Sequence, residues 1–256
     1  MSMKPLRLIT LPISHYCEKV RWVLDRQGIP YVEEGHAPLL HALFTMPLTG
    51  GKSRTVPILV DENVSPRRVL SDSTDCLRYL ADHYGASWLY APPEAAELED
   101  ELDRKLGPST RRFAYFHILP DPKTAAILTE HTPAWEAAVA RPLFPLIRRM
   151  MKKGMRIDAT GAEQSLQLLR EQMAKLSDRL ADGRKYLCGD ALSVADISLA
   201  TLSAPILFPP GYAKISMPPV ETLPEPLRLE VARQRATAAG RLVMRLYAEE
   251  RTKKLQ

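Results

Sequence analysis

Apolar and polar positions alternate through residues 6–11 (LRLITL), the two-residue period of a strand. The period then lengthens: Val20, Val23, Leu24 and Gln27 form a helical stripe that ends at Gly28, with Pro30 just beyond. Residues 30–33 (PYVE) resume as a second strand, so the opening reads as a βαβ unit. Residues 36–54 are less regular: HAPLLHALF predicts one or two helical turns and MPLTGGKSR a loop. Val56-Pro57-Ile58-Leu59-Val60 reads as a strand carrying a proline, which confines it to an edge or a bulge. A turn at 61–63 (DEN) and a return strand at Arg68-Val69-Leu70 complete a hairpin. Ser71-Asp72-Ser73 then opens a helix bearing Leu77, Leu80 and Tyr84 and closed by Gly85. The predicted order is β-α-β-(α)-β-β-α.

The pattern changes at 86–97, where Trp88-Leu89-Tyr90-Ala91-Pro92-Pro93 reads as a linker. Beyond it no strand period occurs, and helices are expected at 94–106 (continuing toward 118), 133–153, 162–182, 193–206 and 224–252. Segment 207–223 holds Pro209, Pro210, Pro218 and Pro219 and is expected to be an extended loop. The expected division is a first domain over 1–86, a linker over 87–97 and an all-helical domain over 98–256.

Composition narrows the classes. A chain of 256 residues, 45% hydrophobic and 25% charged, builds real cores without covalent staples. Three widely spaced cysteines (Cys17, Cys76, Cys188) offer neither a disulfide framework nor a zinc pattern. With no leader pattern at the start and no apolar run near the ~18 residues that span a bilayer, a cytoplasmic location is expected. The net charge of +5 is spread, and its one dense run, Arg148 to Arg156, has the spacing of a solvated helix face. Neither nucleic acid nor membrane is expected as a partner. The six histidines show no metal-ligand spacing, and no metal is expected.

Four motifs occur in order: Ser14-His15-Tyr16-Cys17 before a helix, Thr55-Val56-Pro57-Ile58-Leu59, Ser71-Asp72-Ser73 at a helix start, and Gly189-Asp190-Ala191-Leu192-Ser193-Val194-Ala195-Asp196 in the helical half. Together they resemble the glutathione transferase superfamily, over nearly the whole chain, thinning at 36–54 and after 206. The resemblance implies an α/β thioredoxin-like N-terminal domain followed by an all-α helical bundle. It also implies glutathione as co-substrate, an apolar electrophile as acceptor, a detoxifying transferase of the serine type, and a homodimer.

The resemblance also assigns residues. Ser14 holds the catalytic place beside the glutathione sulfur, and Cys17 the second place. A thiol of pKa about 8.5 is only about 3% thiolate at neutral pH. A hydroxyl donating to the thiolate contributes roughly 1.5–3 kcal/mol, a pKa drop of about one to two units. Ser14 equally fits a plain helix N-cap, and Cys17 a buried small hydrophobe. Tyr16 is a further hydroxyl in reserve, and His15 is expected at the surface. The Val56-Pro57 bond is expected to be cis, presenting backbone to the cysteinyl part of glutathione. Asp72 and Ser73 would hold the γ-glutamyl ammonium and carboxylate at a helix N-terminus. Lys52, Arg54 and His41 are candidates for the glycyl carboxylate. Here the chain departs from the family pattern, with Thr55 in the usual basic place. The acceptor pocket is expected between the domains, with Arg111, Arg112, Phe113, Tyr115 and Phe116 as candidates and the proline-rich loop as its cover. Ser193 to Asp196 is a capping box that starts a core helix. Three other functions stay open: a glutathione-dependent thiol–disulfide reductase or peroxidase using Cys17, a non-catalytic interaction module, and nucleic-acid binding through the basic helix.

Overall fold

A computed structural model describes residues 3–254, so residues 1–2 of the expected first domain and 255–256 of the expected helical domain lie outside the described residues. The first half runs β1 (Leu6–Thr10), α1 (His15–Gln27), β2 (Tyr31–Gly35), α2 (Ala42–Leu48), β3 (Ile58–Asp61), β4 (Arg68–Leu70) and α3 (Ser73–His83). The sheet order is β2-β1-β3-β4, with β1 parallel to β2 and antiparallel to β3, and β3 antiparallel to β4. This is the thioredoxin-like arrangement expected from the sequence. Central β1 buries Leu6, Leu8, Ile9 and Thr10, because helices cover both faces of the sheet there. Helix α1 stops where Gly28 takes a left-handed conformation (φ 64°) and Ile29 N–H bonds back to the Leu24 carbonyl.

The second half is helical: α4 (Ala95–Ile118), α5 (Thr124–Leu128), α6 (Ala134–Ala140), α7 (Phe144–Gly154), α8 (Ala159–Arg179), α9 (Val194–Leu207), α10 (Glu225–Arg235) and α11 (Ala238–Glu249). Helix α9 is the hub, buried on nearly every side. Its start is built as the capping box predicts: Asp196 accepts from Ser193 N–H at 2.9 Å, and also from Leu187 N–H at 2.8 Å. One sheet face packs Ile9, Ile58 and Val60 in a small cluster. The other packs against α1 and α3, whose core runs without a break into that of the helical half. The two helices that carry the glutathione motifs therefore lie between the sheet and the helical domain. No helix among the described residues is long and apolar enough to cross a membrane.

Some expected elements divide. The single helix predicted over 133–153 breaks into α6 and α7 around Pro142, which has no N–H to continue the ladder. The helix predicted over 224–252 breaks at Thr237, whose hydroxyl instead caps α11 by accepting from Gly240 N–H at 2.9 Å. Helix α5 was not expected. Segment 207–223 is the expected loop, with two short 3-10 turns at Tyr212–Lys214 and Val220–Thr222.

Candidate functional site

Strand pairing brings the three N-terminal motifs to one end of the sheet. Ile9 pairs with Ile58, so the end of β1, which leads to Ser14, meets the start of β3, which follows Pro57. Leu59 pairs with Leu70, so β4 delivers α3 to that same end. The N-termini of α1 and α3 thus converge there, each with unpaired backbone N–H groups and the positive end of a helix dipole.

Ser14 is the N-cap of α1, half-exposed, with Oγ accepting from Cys17 N–H at 3.4 Å. The cap reading holds, and the residue keeps part of its surface in solvent. The loop before it is held from the helical domain, where the Tyr212 hydroxyl donates to the Ile13 carbonyl at 2.5 Å. Cys17 is wholly buried, and burial pushes its thiol up to about 11 against the opposing pull of Arg21 and Ser14. Tyr16 donates its hydroxyl to the Asp103 carbonyl at 3.0 Å, so that donor is committed to α4. A Cβ on Gly107 of α4 would come within 2.5 Å of the Tyr16 oxygen, so any larger residue there would have to push the Tyr16 side chain aside. His15 is buried rather than at the surface. Burial, and then the charge of Arg111, hold its imidazole well below the ordinary range and keep it neutral.

The Val56-Pro57 peptide is cis. Among the described residues the backbone N–H and C=O of half-exposed Val56 make no hydrogen bond, which leaves a free strand edge before β3. Asp72 is the N-cap of α3, accepting from Thr74 N–H at 2.8 Å with its carboxylate otherwise exposed. Ser73 is the first helical residue, 3% exposed, and its hydroxyl bonds to nothing among the described residues. An exposed carboxylate, a free hydroxyl and free helix N–H groups are the complement of an amino-acid head group.

Lys52 and Arg54 lie exposed on the loop before Val56 with no side-chain partner among the described residues. His41 stands close by: its half-buried ring faces the Arg54 carbonyl, and burial lowers its pKa.

Sequence reasoning missed the bolt behind this site. Lys19 of α1 is wholly buried, with Nζ 2.8 Å from Glu99 and 2.8 Å from Asp103 of α4. Thr74, two residues into α3, donates to both carboxylates, and Tyr90 donates to Glu99 at 2.8 Å. One ion cluster therefore fixes both convergent helices to the helical domain. A second lies behind α1, where buried Glu18 pairs with Arg21 and with Arg251 from the C-terminal end.

The acceptor candidates separate. Arg112 does not face the interdomain cleft: it donates to the Met155 carbonyl at 2.9 Å and to Ser165 at 3.0 Å inside the helical domain. Phe113 is core. Tyr115 and Phe116 line a groove of about 560 Å³ against α7, rimmed by Arg148, Arg149 and Lys152. Arg111 turns toward α1, where its charge bears on both His15 and Tyr16. A more apolar cavity of about 510 Å³ touches Ile13, next to Ser14, and is walled by Ile118, Phe208, Met217 and the proline-rich loop at Pro218 and Pro219. A larger depression of about 840 Å³ sits by Gly28 and Tyr84, at the opposite ends of α1 and α3. A 13-residue helix separates it from Ser14 by about 20 Å.

Residues 8–88 match the glutathione S-transferase N-terminal domain and residues 136–203 the C-terminal domain of the same family. Among solved structures, a glutathione transferase of Phanerochaete chrysosporium is similar over 100% of both chains, with 18% identity and a TM-score of 0.63. A glutathione S-transferase of Ceriporiopsis subvermispora, solved in complex with glutathione, matches over 99% of both chains, with 17% identity and a TM-score of 0.64. One from Burkholderia graminis, with two glutathione molecules bound per subunit, covers 94% of this chain and 88% of its own at 20% identity, with a TM-score of 0.53. No curated protein matches the sequence. With both family domains matched in order on a fold shared along the full length, the chain belongs to the glutathione transferase superfamily.

Proposed function

We propose that this protein binds glutathione at the convergent ends of α1, β3 and α3 and conjugates its thiolate to an apolar electrophile. The observation that carries the reading is the set of groups gathered at one sheet end: the Val56 peptide and Ser73 hydroxyl, unpaired among the described residues, and the exposed Asp72 carboxylate, of which the helix cap uses only one oxygen. The Val56 backbone pairs with the cysteinyl part of glutathione as an added strand. Ser73 and the α3 N-terminus take the γ-glutamyl carboxylate, and Asp72 its ammonium. Lys52 or Arg54 takes the glycyl carboxylate. This places the sulfur at Ser14, whose hydroxyl donates to the thiolate at the positive end of α1.

In the reaction the thiol releases its proton to solvent. The sulfur lone pair then forms a C–S bond with the electrophilic carbon, which expels a leaving group or pushes its electrons onto a conjugated acceptor atom. The cavity beside Ile13 is the acceptor pocket in this scheme, with the proline-rich loop as one wall. The protein works as a homodimer in the same reading.

The redox alternative has less support. Cys17 is buried with its thiol pushed up to about 11, so only about one molecule in ten thousand carries the thiolate at neutral pH. The test is a pH titration of the ultraviolet thiolate absorbance of bound glutathione. The expected result is a thiol pKa about one to two units below that of free glutathione in the wild type, restored toward the free value by Ser14→Ala. Equal titrations in the two proteins would remove Ser14 from the mechanism. Turnover lost in Cys17→Ala but kept in Ser14→Ala would establish the redox reading instead.

A further inference from the structure

Helix α7 is amphipathic in an unusual way: its apolar arc is wider than the surface that covers it. Phe144, Ile147 and Met151 are buried, whereas Leu143, Leu146 and Met150, on the adjoining flank, are 49%, 55% and 50% exposed. The stripe does not begin with α7. Trp135 and Val139 of α6 are exposed as well, and the spacing 135, 139, 143, 146, 150 is that of one continuous helical face. The turn between the helices keeps that register, since Leu143 N–H reaches Val139 C=O and Ile147 N–H reaches Leu143 C=O. Five large apolar side chains in a row are a patch that asks for an occupant.

Charge says which. From 131 to 156 the chain carries Arg141, Arg148, Arg149, Lys152, Lys153 and Arg156, against one carboxylate, Glu136. Glu136 is buried and bound to His36 and the Ala37 N–H, so the outer surface of this segment holds cations alone. At about 100° per residue, Arg149 and Lys153 project just beside the exposed apolar arc of α7. A second copy docked on itself would set these cations against their equals, because a two-fold contact joins the same patch to itself. Nucleic acid would use the cations and leave the leucine, methionine and tryptophan side chains in water.

We infer that the α6–α7 face docks on an anionic phospholipid surface, with Trp135, Val139, Leu143, Leu146 and Met150 entering the interface and Arg149 and Lys153 meeting the headgroup phosphates. A basic amphipathic helix with Trp and Leu on its apolar side is the chemistry of interfacial binding. The sequence alone shows the basic run as a solvated helix face; the uncovered apolar flank beside it is what the structure adds. Docking would bring the transferase site to a lipid surface, where apolar electrophiles concentrate.

The test is co-sedimentation of the full chain with phosphatidylcholine vesicles, with and without phosphatidylglycerol, alongside tryptophan fluorescence. Binding should require phosphatidylglycerol, weaken with salt and blue-shift the emission, with the shift lost in Trp135→Phe. Trp22 is already buried, and half-buried Trp88 is held by its indole N–H on Gln27 at 3.0 Å, outside the α6–α7 face, so neither supplies it. Leu146→Glu/Met150→Glu should abolish binding, and Arg149→Ala/Lys153→Ala should lower partitioning about 30-fold. Exposed side chains make these variants foldable, and unchanged circular dichroism and thermal unfolding serve as the control. The inference is overturned by failure to bind phosphatidylglycerol vesicles, or by binding that Leu146→Glu/Met150→Glu leaves intact. It is equally overturned if those substitutions turn a dimer into a monomer in sedimentation velocity, or if DNA binds more tightly than vesicles.

Discussion

Replacing Lys19 with methionine removes the buried cation that pairs with two carboxylates at the junction of α1, α3 and α4. The shape of the side chain is nearly kept, so the change tests charge rather than packing. Glu99 is wholly buried and Asp103 is 17% exposed. Breaking a buried ion cluster by removing one partner costs about 3–5 kcal/mol. The retained donors, Thr74 to both carboxylates and Tyr90 to Glu99, place this case at the lower end of that range. At about 2–4 °C per kcal/mol for a chain of this size, the melting temperature should fall by roughly 6–12 °C. Thermal unfolding followed by circular dichroism reads this directly. The triple variant Lys19→Met/Glu99→Gln/Asp103→Asn should recover much of the loss, because no uncompensated charge then remains. In the wild type, burial alone would lower the Lys19 pKa, but Glu99 and Asp103 outweigh it and raise it above 10.5. The cluster's stabilisation is therefore complete below pH 10.5 and fades only as pH rises through the higher folded value. Thr74 shares these carboxylates, so glutathione affinity should weaken in the single variant too. A Lys19→Met protein that melts within about 1 °C of wild type would refute the reasoning, since that is the behaviour of a surface substitution.

Thiol labelling at neutral pH should modify Cys188 first, because it is partly exposed while Cys17 and Cys76 are buried with their thiols pushed up; equal rates for all three would contradict this. Glu136→Ala strands the Nδ1 of His36 and the N–H of Ala37, both 2.7 Å from the carboxylate, and should lower stability by about 1–3 kcal/mol while speeding proteolysis of the α5–α7 segment. Asp61 accepts from Tyr84 at 2.5 Å and Tyr79 at 2.8 Å; burial opposes its ionisation, yet these bonds hold its carboxyl below 3.8. Its stabilisation is thus present above pH 3.8 and lost as pH falls through the lower folded value, so the stability gap between wild type and Asp61→Asn should close in acid.

The thioredoxin-like half was legible because its signals are local. Two-residue alternation marks β1, Gly28 and Asp72 mark helix ends, and a proline ahead of β3 marks a strand that starts late. The breaks at Pro142 and Thr237 were harder, because the apolar stripe runs through both and only hydrogen-bond supply decides where a helix stops. Neighbouring Arg111 and Arg112 differ by about 100° around α4, and a single sequence does not say which one faces α1. Lys19, Glu99 and Asp103 are far apart in the chain and of types that are usually exposed, so nothing local announced that they meet in the interior. The same expectation misled for His15, which lies where α4 closes over the start of α1. Charge around α7 was visible in the sequence, but the uncovered apolar flank beside it appears only once the core has chosen its side of the helix.

Titration calorimetry with reduced glutathione, on the wild type and on Asp72→Ala/Ser73→Ala, tests the central claim most directly. The account predicts one site per chain in the wild type and none detectable in the variant, with thermal stability altered by no more than the loss of a helix cap, about 1 kcal/mol. Absence of binding to the wild type at millimolar glutathione, or equal binding to both proteins, would contradict it.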